Sequence, residues 1–532
     1  MSAAAPSETG RMETMEWRPR VNPWLIAPAV MLATFMEVLD TSIASVSLPY
    51  IAGNLGATSS QATWVLTSYL VSNAIILPAS AWFSSVFGRK RFLITCIIIF
   101  SISSFMCGAA TSLAMLIVAR TLQGAGGGAL QPLAQSILLE SFPPAKRGVA
   151  MAVYGVGVVC APILGPTLGG WLTDTWSWRW AFYINVPIGI LAVIFISAVV
   201  EDPPYIRASK RGRMDTIGFG FMAIGLATLQ IVLDKGQEVD WFGALWIRWM
   251  VVICVLSLVI FIVRQLTIKE PIVNLRILTN RNFGVACGLF FLFGAGIYGM
   301  ITLQPLFLQL LLGYTAFNAG LTVSPRGIGA LLSLAVVGTM IGRLGARKLA
   351  ATGFVVFAYS AFLFSRMTLG VSQNHLIPLN IINGIGTGFI FVPLTTVGMG
   401  TLRNDQMGNA AGIQNLLRNI GGSVGISLVS TFLDRFSQRH QAYMTGNFTP
   451  LSPIYRQQLG SLQTFLQSRF SPADAAARAQ NILYNTVHIQ TSYWAFIDLF
   501  YGFMWVGIAC SILVWLLKQV KKNPASPNVV AH

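Results

Sequence analysis

Charge is what this sequence has least of. Only 10% of its 532 residues are Asp, Glu, Lys or Arg, where a soluble domain carries about 25%. With 54% hydrophobic residues and a mean hydropathy of +0.66, the chain reads as a membrane protein. Histidine is scarce as well: there are four, none near a cysteine or another histidine, which argues against a zinc site. The six cysteines (Cys96, Cys107, Cys160, Cys254, Cys287, Cys510) all fall in apolar runs and form no CxxC pair. They read as small core or lipid-facing residues, not as disulfides or metal ligands. The glycine run "QGAGGG", Gln123 to Gly128, has no Gly-Lys-Ser/Thr after it, and without a Walker A sequence ATP drive within the chain is not expected. No soluble catalytic domain or cluster of catalytic residues appears, so the chain does not read as an enzyme.

What is abundant is apolar length. A span needs about 20 mostly apolar residues. Fourteen windows qualify, near 24–49, 62–83, 92–111, 113–139, 148–172, 181–200, 214–233, 245–266, 283–312, 316–340, 348–369, 375–400, 408–433 and 493–517. The N-terminus up to Val21 is polar and of mixed charge, unlike a cleavable signal peptide, so the first window is expected to be a true span.

The net charge is +17, and it sits in short clusters between the windows. Nucleic-acid-binding folds carry basic stripes instead, so no nucleic acid is expected as a partner. With the N-terminus inside, the inner segments collect Arg11, Arg18, Arg20; Arg89, Lys90, Arg91; Lys146, Arg147; Arg207, Lys210, Arg211, Arg213; Lys269, Arg276, Arg281; Arg343, Arg347, Lys348; Arg403; and Lys518, Lys521, Lys522. The short outer loops hold little beyond Arg179, Lys235 and Arg248. This bias survives every crossing and places both termini in the cytoplasm. The long outer loop 434–492 is basic, but long loops obey the rule poorly. Within it, Ser452-Pro453 and Ser471-Pro472 each read as an N-cap followed by proline at the first helical position, with Asp474 in an acidic first turn. Two short helices outside the membrane are expected there, either packing over the last spans or offering a docking surface.

An internal repeat organises the spans. Gly88 matches Gly345, Lys90 matches Arg347 and Arg91 matches Lys348, each 257 residues apart, and the same offset pairs Lys146 with Arg403 and Gly165 with Gly422. Parallel six-span repeats build one class of secondary transporter. The expected organisation is an inner tail 1–23, a six-helix bundle 24–200, a connector 201–282 with two further spans, a second bundle 283–517 that includes the loop 434–492, and an inner tail 518–532.

Ionisable residues inside spans are costly, about 2.5–3.5 kcal/mol for an Asp or Arg on insertion scales, and mark function by default. "TFMEVLDTSI", Thr34 to Ile43, carries Glu37 and Asp40 three residues apart on one helical face. Burial disfavours a charged carboxyl, and two carboxylates facing one cavity would repel further, which suits proton exchange. The plainer reading is that Asp40 reaches water or caps a neighbour; for Glu37 both readings stand open. Arg120 lies far from either end of the fourth window and needs a partner or a wet cavity, and a structural ion pair with a first-helix carboxylate is compatible with either role. Arg326 and Arg418 are also within windows. Gln123, Gln304 and Asn383, with Arg326, are candidates to line a substrate cavity, near aromatics such as Phe35 and Tyr69; ordinary helix packing is the alternative for each. In the fifth window, Gly165 and Gly169 at i and i+4 allow close helix approach, and Pro166 removes a helix hydrogen bond. A bent helix with a smooth face suits rocking against the opposite half.

These motifs together resemble a known family. "FGRKR", carrying Gly88, Arg89, Lys90 and Arg91, resembles the loop motif of the major facilitator superfamily. "VARTLQGAGGGALQP", Val118 to Pro132, resembles its fourth-helix motif built around an Arg. "GVVCAPILGPTLGGW", with Gly157, Gly165, Pro166, Gly169 and Gly170, resembles the antiporter signature of its fifth helix. "EVLDTSIASVSLP", Glu37 to Pro49, resembles the first-helix motif of the fourteen-span drug/proton antiporters, and "FPPAKR" and "FYINVPIGI" are similar to those of the EmrB/QacA type. The loop motif departs from the family at Ser85 and Gly342, where an Asp latch residue is usual, and at Val86, where a basic residue is usual. The basic cluster reads equally as a topology anchor.

The resemblance implies an all-α membrane protein of major facilitator fold, two six-helix bundles plus two linker helices. It implies drug:H+ antiport across a bacterial inner membrane, with Asp40, Glu37 and Arg120 in proton coupling and a proton gradient instead of a cofactor. Protons, small amphipathic drugs and membrane lipids would be its small-molecule partners. An EmrA-like periplasmic adaptor and an outer-membrane channel would be its protein partners. A proton-linked transporter of a specific solute or lipid with the same fold is the alternative.

Overall fold

The computed structural model describes residues 19–143, 146–202, 214–403, 406–446 and 452–518. Arg11, Arg18, Arg207, Lys210, Arg211, Arg213, Lys521 and Lys522 of the charge-bias reading lie outside the described residues. Among the described residues, fourteen helices are long and apolar enough to cross a membrane. In lipid every backbone polar group must be satisfied within the chain, which makes each apolar run helical. We number the spans α1 (Pro23–Asn54), α2 (Trp64–Phe87), α3 (Arg89–Gly108), α4 (Leu113–Ser141), α5 (Arg147–Thr175), α6 (Trp180–Val199) and α7 (Thr216–Lys235). The second set is α8 (Leu245–Thr267), α9 (Arg281–Leu310), α10 (Phe317–Leu344), α11 (Ala346–Ser365), α12 (Gln373–Met399), α13 (Met407–Thr445) and α14 (Pro472–Leu516). Side-chain caps start several of them: Asn22 accepts from the Trp24 amide, Ser112 from Met115 and Ser471 from Asp474.

Helices α1–α6 pack into one bundle and α9–α14 into another. The two halves meet where α5 lies against α10 and where α2 and α4 lie against α13. Helices α7 and α8 pair with each other, and α7 leans on α2 and α13. The capping residue Asp215 ties this pair at one end, accepting from the Gly218 amide at 2.9 Å, Arg264 at 2.7 Å and Gln265 at 3.1 Å. Burial alone would raise the Asp215 carboxyl, but these donors outweigh it and hold it below the usual carboxylate range. An even number of crossings brings both ends of the described chain to one face, here called the terminal face. The opposite, loop face carries the connection between α13 and α14.

That connection differs from expectation. One short helix, Pro453–Gln467, is present, but the second expected helix is not separate: from Pro472 it runs on without a break into the last span, 42 residues in all. The Ser-Pro start signal at 471–472 is real, and no breaker lies between it and the apolar window. Helix α13 likewise continues to Thr445. At about 1.5 Å per residue both far exceed a hydrocarbon core of about 30 Å, so they project as a stalk. His440 and Asp498 join them at 2.8 Å, and Leu466 packs with Ala475 and Ala479.

The repeat holds in the backbone but shifts register. Gly88 and Gly345 adopt nearly the same conformation (φ 86°, ψ 143° and φ 81°, ψ 140°), open only to glycine. Four residues, 109–112, join α3 to α4, whereas seven, 366–372, join α11 to α12. The offset therefore becomes 260 from there: α5 starts at 147 and α13 at 407, so Gly165 pairs with Gly425 rather than with Gly422, and Lys146 with Gln406 rather than with Arg403. The shifted register explains two glycine sets. Gly124 and Gly128 of α4 abut the backbone of α2 at Tyr69 and Asn73, while Gly126 abuts α3 at Phe100. Gly384 and Gly388 of α12 abut α10 at Arg326 and Ala330, while Gly386 abuts α11 at Phe357. Each triplet lets the fourth helix of its half touch two neighbours through the main chain.

A methyl group on Gly384 would collide with the Arg326 carbonyl oxygen, which is backbone and cannot turn away. Gly384→Ala is expected to lower stability by about 1–3 kcal/mol, seen as a reduced melting temperature of the purified protein. Gly170→Ala, which meets nothing within 4 Å, is expected to leave it unchanged.

Candidate functional site

Asp40 is fully buried, and so is Arg120. One Asp40 oxygen (Oδ2) accepts from Arg120 Nη1 at 2.6 Å; the other (Oδ1) accepts from Gln123 at 2.9 Å and Asn185 at 2.7 Å. Arg120 also donates to the Val65 carbonyl at 3.0 Å and to Gln123 Oε1 at 2.7 Å, and its guanidinium lies 4.3 Å from the Tyr69 ring centroid. Ser104 accepts from both Gln123 and Asn185, at 3.1 and 2.9 Å. The cluster thus joins α1, α2, α3, α4 and α6 within the first half. Asp40 does not reach water. Gln123, expected at the cavity, instead lies in this cluster, because position 123 is one turn from Arg120 on the same face of α4.

Glu37, one turn away on α1, belongs to a second network. It accepts from Gln131 at 2.6 Å, Asn73 at 3.1 Å and the Tyr69 hydroxyl at 3.4 Å. Gln131 turns its carbonyl oxygen to Arg418 of α13, in the other half. Close by, Asn415 of α13 donates to Gln135 of α4 at 2.7 Å. Glu37 is therefore two hydrogen bonds from the opposite bundle, and Tyr69 touches both carboxylate networks. The two carboxylates do not share one cavity; each has its own donors.

A cavity of about 470 Å³ lies between the halves. Its walls come from α1 (Ser42, Pro49), α5 (Pro162, Pro166), α9, α10, α12 and α13. These positions fall in the central and loop-face parts of the spans. Toward the terminal face α5 and α10 close together instead: a Cβ on Gly148 would lie 2.8 Å from Ile341, and one on Gly338 would lie 3.6 Å from Ala152. Pro166 leaves the Pro162 carbonyl without its helical donor. Ser42 of α1 supplies the missing bond at 3.2 Å. The glycine stripe of α5 departs from expectation, since Gly157, Gly165 and Gly169 face Met31, Ser42 and Ile43 of α1 in their own half. The stripe therefore packs inside its own half, and Gly170 meets nothing within 4 Å.

Of the remaining candidates, Arg326 lines the cavity. Gln304 lies behind it and bonds to the guanidinium, and Asn383 is buried against Ser360 at 2.8 Å; neither is among the lining residues. The glycines that draw α10 and α12 together bury the Asn383 side chain against α11. In the loop motif, Arg89 pairs with Glu140 at the end of α4, the Lys90 amide donates to Asp202 at 2.8 Å, and Lys90 Nζ reaches the Ser197 carbonyl at 2.6 Å. Gly88 is needed because a Cβ there would lie 2.9 Å from Asp202. Acids from α4 and from the end of α6 thus hold this turn where Ser85 replaces the usual Asp. Arg91 begins α3. Sequence reasoning missed Asn185, Gln131 and Asn73, although Asn185 stands in the quoted "FYINVPIGI".

Comparison with known proteins agrees with this architecture. The family model described as "Major Facilitator Superfamily" matches residues 30–426. The multidrug export protein EmrB of Escherichia coli K12 is 38% identical over 430 residues, covering 80% of this chain and 83% of that protein. The fatty acid resistance protein FarB of Neisseria gonorrhoeae is 38% identical over 425 residues, covering 79% and 83%. Among solved structures, the human organic anion transporter MFSD10 (TETRAN) aligns with a TM-score of 0.58 at 14% identity, covering 92% of this chain and 99% of that one. At that identity the likeness speaks for the fold alone.

Removing one member of a buried ion pair strands the other, at a cost of about 3–5 kcal/mol. Asp40→Ala and Arg120→Ala are each expected to destabilise the protein on that scale. The double variant should be less destabilised than the sum, by more than about 1 kcal/mol, in denaturation of the purified protein.

Proposed function

The chain belongs to the major facilitator superfamily, and from that premise we propose that it exports amphipathic drugs in exchange for protons by alternating access. The observation that carries this reading is the Asp40–Arg120 pair, buried at the centre of one half. Ionised, Asp40 binds α4 and α6 to α1 through charge-assisted bonds. Protonated, it loses the strongest of them, and Arg120 is left to Gln123, Val65 and the Tyr69 ring. A proton thereby changes the packing of the half that forms one wall of the cavity.

Glu37 is the second coupling group in this reading, since its donor Gln131 also holds Arg418 across the halves. The α5 motif residues Gly157, Gly165, Pro166 and Gly169 supply a stiff, bent wall that moves with α1. The turn Gly88–Arg91 locks α2, α3, α4 and α6 into one body. The protein sits in the bacterial inner membrane with both termini in the cytoplasm, as the positive-inside bias supports, so the cavity lies toward the periplasm. The proton gradient drives it in place of a cofactor. The stalk of α13, α14 and the helix Pro453–Gln467 leaves Tyr443, Ile454, Phe465 and Tyr484 exposed. That surface suits a periplasmic adaptor that passes substrate to an outer-membrane channel.

The test uses proteoliposomes carrying a pH gradient as the only driving force. Wild-type protein is expected to accumulate a fluorescent drug uphill and to stop on addition of an uncoupler. Asp40→Asn is expected to reduce uphill accumulation at least tenfold while still allowing downhill flux. Uphill export by this variant under a pH gradient alone would sink the proposal.

A further inference from the structure

We propose that the terminal face of the second half binds the head group of an anionic phospholipid, held by Arg343, Arg347 and Lys348 of the α10–α11 turn with Arg281 and Lys518 beside it. The site lies on the membrane surface and is independent of the cargo. Two turns of the same shape differ in their acids. Gly88 and Gly345 share one backbone conformation, and basic residues follow each of them. In the first half the chain itself neutralises the turn: Arg89 pairs with Glu140, and Asp202 accepts from the Lys90 amide at 2.8 Å. In the second half it does not. From 271 to 404 the sequence contains no Asp or Glu. Glu270, which precedes that stretch, forms no ion pair with these cations, and Asp405, which ends it, lies outside the described residues.

The cations of the second half meet main-chain carbonyls or nothing. Arg281 donates to the Leu516 carbonyl at 3.2 Å and Arg347 to the Leu517 carbonyl at 3.1 Å. Both cap the carbonyl end of α14, which favours a cation, but neither gains a full opposite charge there. Arg347 Nε is buried without a partner, and its guanidinium lies 4.4 Å from the Trp515 ring centroid. Asn282 ties the Lys518 main chain beside Arg281, at 2.8 and 3.0 Å. Arg343 and Lys348 are exposed and have no side-chain partner among the described residues. The space that an acid fills in the first half is open in the second. A Cβ on Gly88 would lie 2.9 Å from Asp202, whereas one on Gly345 or Gly342 meets nothing within 4 Å. Trp515 stands against Arg347 at the end of a span and is 53% exposed, and tryptophans at such ends mark the lipid–water interface. Lys and Arg clustered there attract acidic lipids, and guanidinium forks match phosphate oxygens. A lipid phosphate thus takes the part that Asp202 and Glu140 play in the first half.

The same phosphate chemistry could come from free phosphate, and the experiment separates the two sources. Delipidated protein in a neutral detergent is titrated with dioleoylphosphatidylglycerol or dioleoylphosphatidylcholine. These share the phosphate and the acyl chains and differ in net charge. Bound lipid is counted by native mass spectrometry. Wild type is expected to bind phosphatidylglycerol about tenfold more tightly than phosphatidylcholine. Arg343→Gln with Lys348→Gln should erase that preference and leave phosphatidylcholine binding and the melting temperature unchanged, since neither side chain has a partner in the fold to lose. Arg343→Lys with Lys348→Arg keeps the charge and should keep the preference. Lys146→Gln with Lys269→Gln, which removes the same charge from the same face outside the site, should also keep it. Excess inorganic phosphate should not displace the lipid. Equal binding of the two lipids by wild type would overturn the site, as would a preference that survives the first pair of substitutions or disappears in either of the others. Displacement by inorganic phosphate would assign the site to a free anion and overturn the lipid claim.

Discussion

The ion pair between Asp40 and Arg120 sets the terms for the first half of the molecule. Neither charge could remain in a span alone, so α1 and α4 must meet where the two side chains face each other. Gln123, Asn185, Ser104 and Val65 add further hydrogen bonds around the pair, which draws α2, α3 and α6 to the same point. Glycines make the approach possible: Gly124 and Gly128 bring α4 onto α2 directly beside Tyr69, whose ring backs the guanidinium. A buried pair of this kind gains little over apolar residues of the same shape. Its presence is better explained by what it can do than by what it stabilises, and a proton is the simplest ligand able to dissolve it.

A line of contacts leads from that pair to the cavity. Asp40 bonds Arg120, Arg120 lies on Tyr69, Tyr69 and Gln131 both donate to Glu37, and Gln131 accepts from Arg418, which lines the cavity from the other half. Spatial continuity alone does not make coupling; a two-state element must be biased at both ends. The Gln131–Arg418 bond qualifies by its position, since it crosses the interface that has to open. In the proposed cycle a proton on Glu37 would weaken the bond that orients Gln131, and with it the Gln131–Arg418 contact between the halves.

Hydropathy made the fourteen spans legible, because lipid forces helix on every long apolar run. The cost of intramembrane charge made Asp40, Glu37 and Arg120 legible for a similar reason. What stayed hidden was partnership. Spacing places Gln123 on the Arg120 face of α4 but cannot say that α1 and α6 converge there. Asn185 lies 145 residues from Asp40; it stands in "FYINVPIGI", but nothing in that stretch says which residue it will meet. The fusion of the 472 segment with the last span was hidden differently: a cap and a proline announce a helix start, and the polar turns that follow looked like an end. The repeat offset was read across two loops and a helix, but it holds only in the first of them: three additional residues between α11 and α12 move everything after that point.

The glycines also distinguish what is rigid from what moves. Within each half they let main chain meet main chain, as at Gly126 on Phe100 of α3, Gly169 on Ile43 of α1, Gly353 on Phe389 of α12 and Gly386 on Phe357 of α11. Such contacts leave no room for sliding, because neither side can rotate out of the way. Between the halves the glycines mostly meet side chains: Gly148 on Ile341, Gly155 on Leu334, Gly320 on Pro166, Gly338 on Ala152. Aliphatic side chains can exchange neighbours at small cost when one surface tilts on another. The Pro162–Pro166 stretch of α5 belongs to the rigid set, since Ser42 of α1 donates to the Pro162 carbonyl that Pro166 leaves without a helical donor. The packing therefore favours two stiff bodies turning about the α5–α10 and α2–α13 contacts, with the cavity, its arginines and the Gln131–Arg418 bond lying on the surface between them.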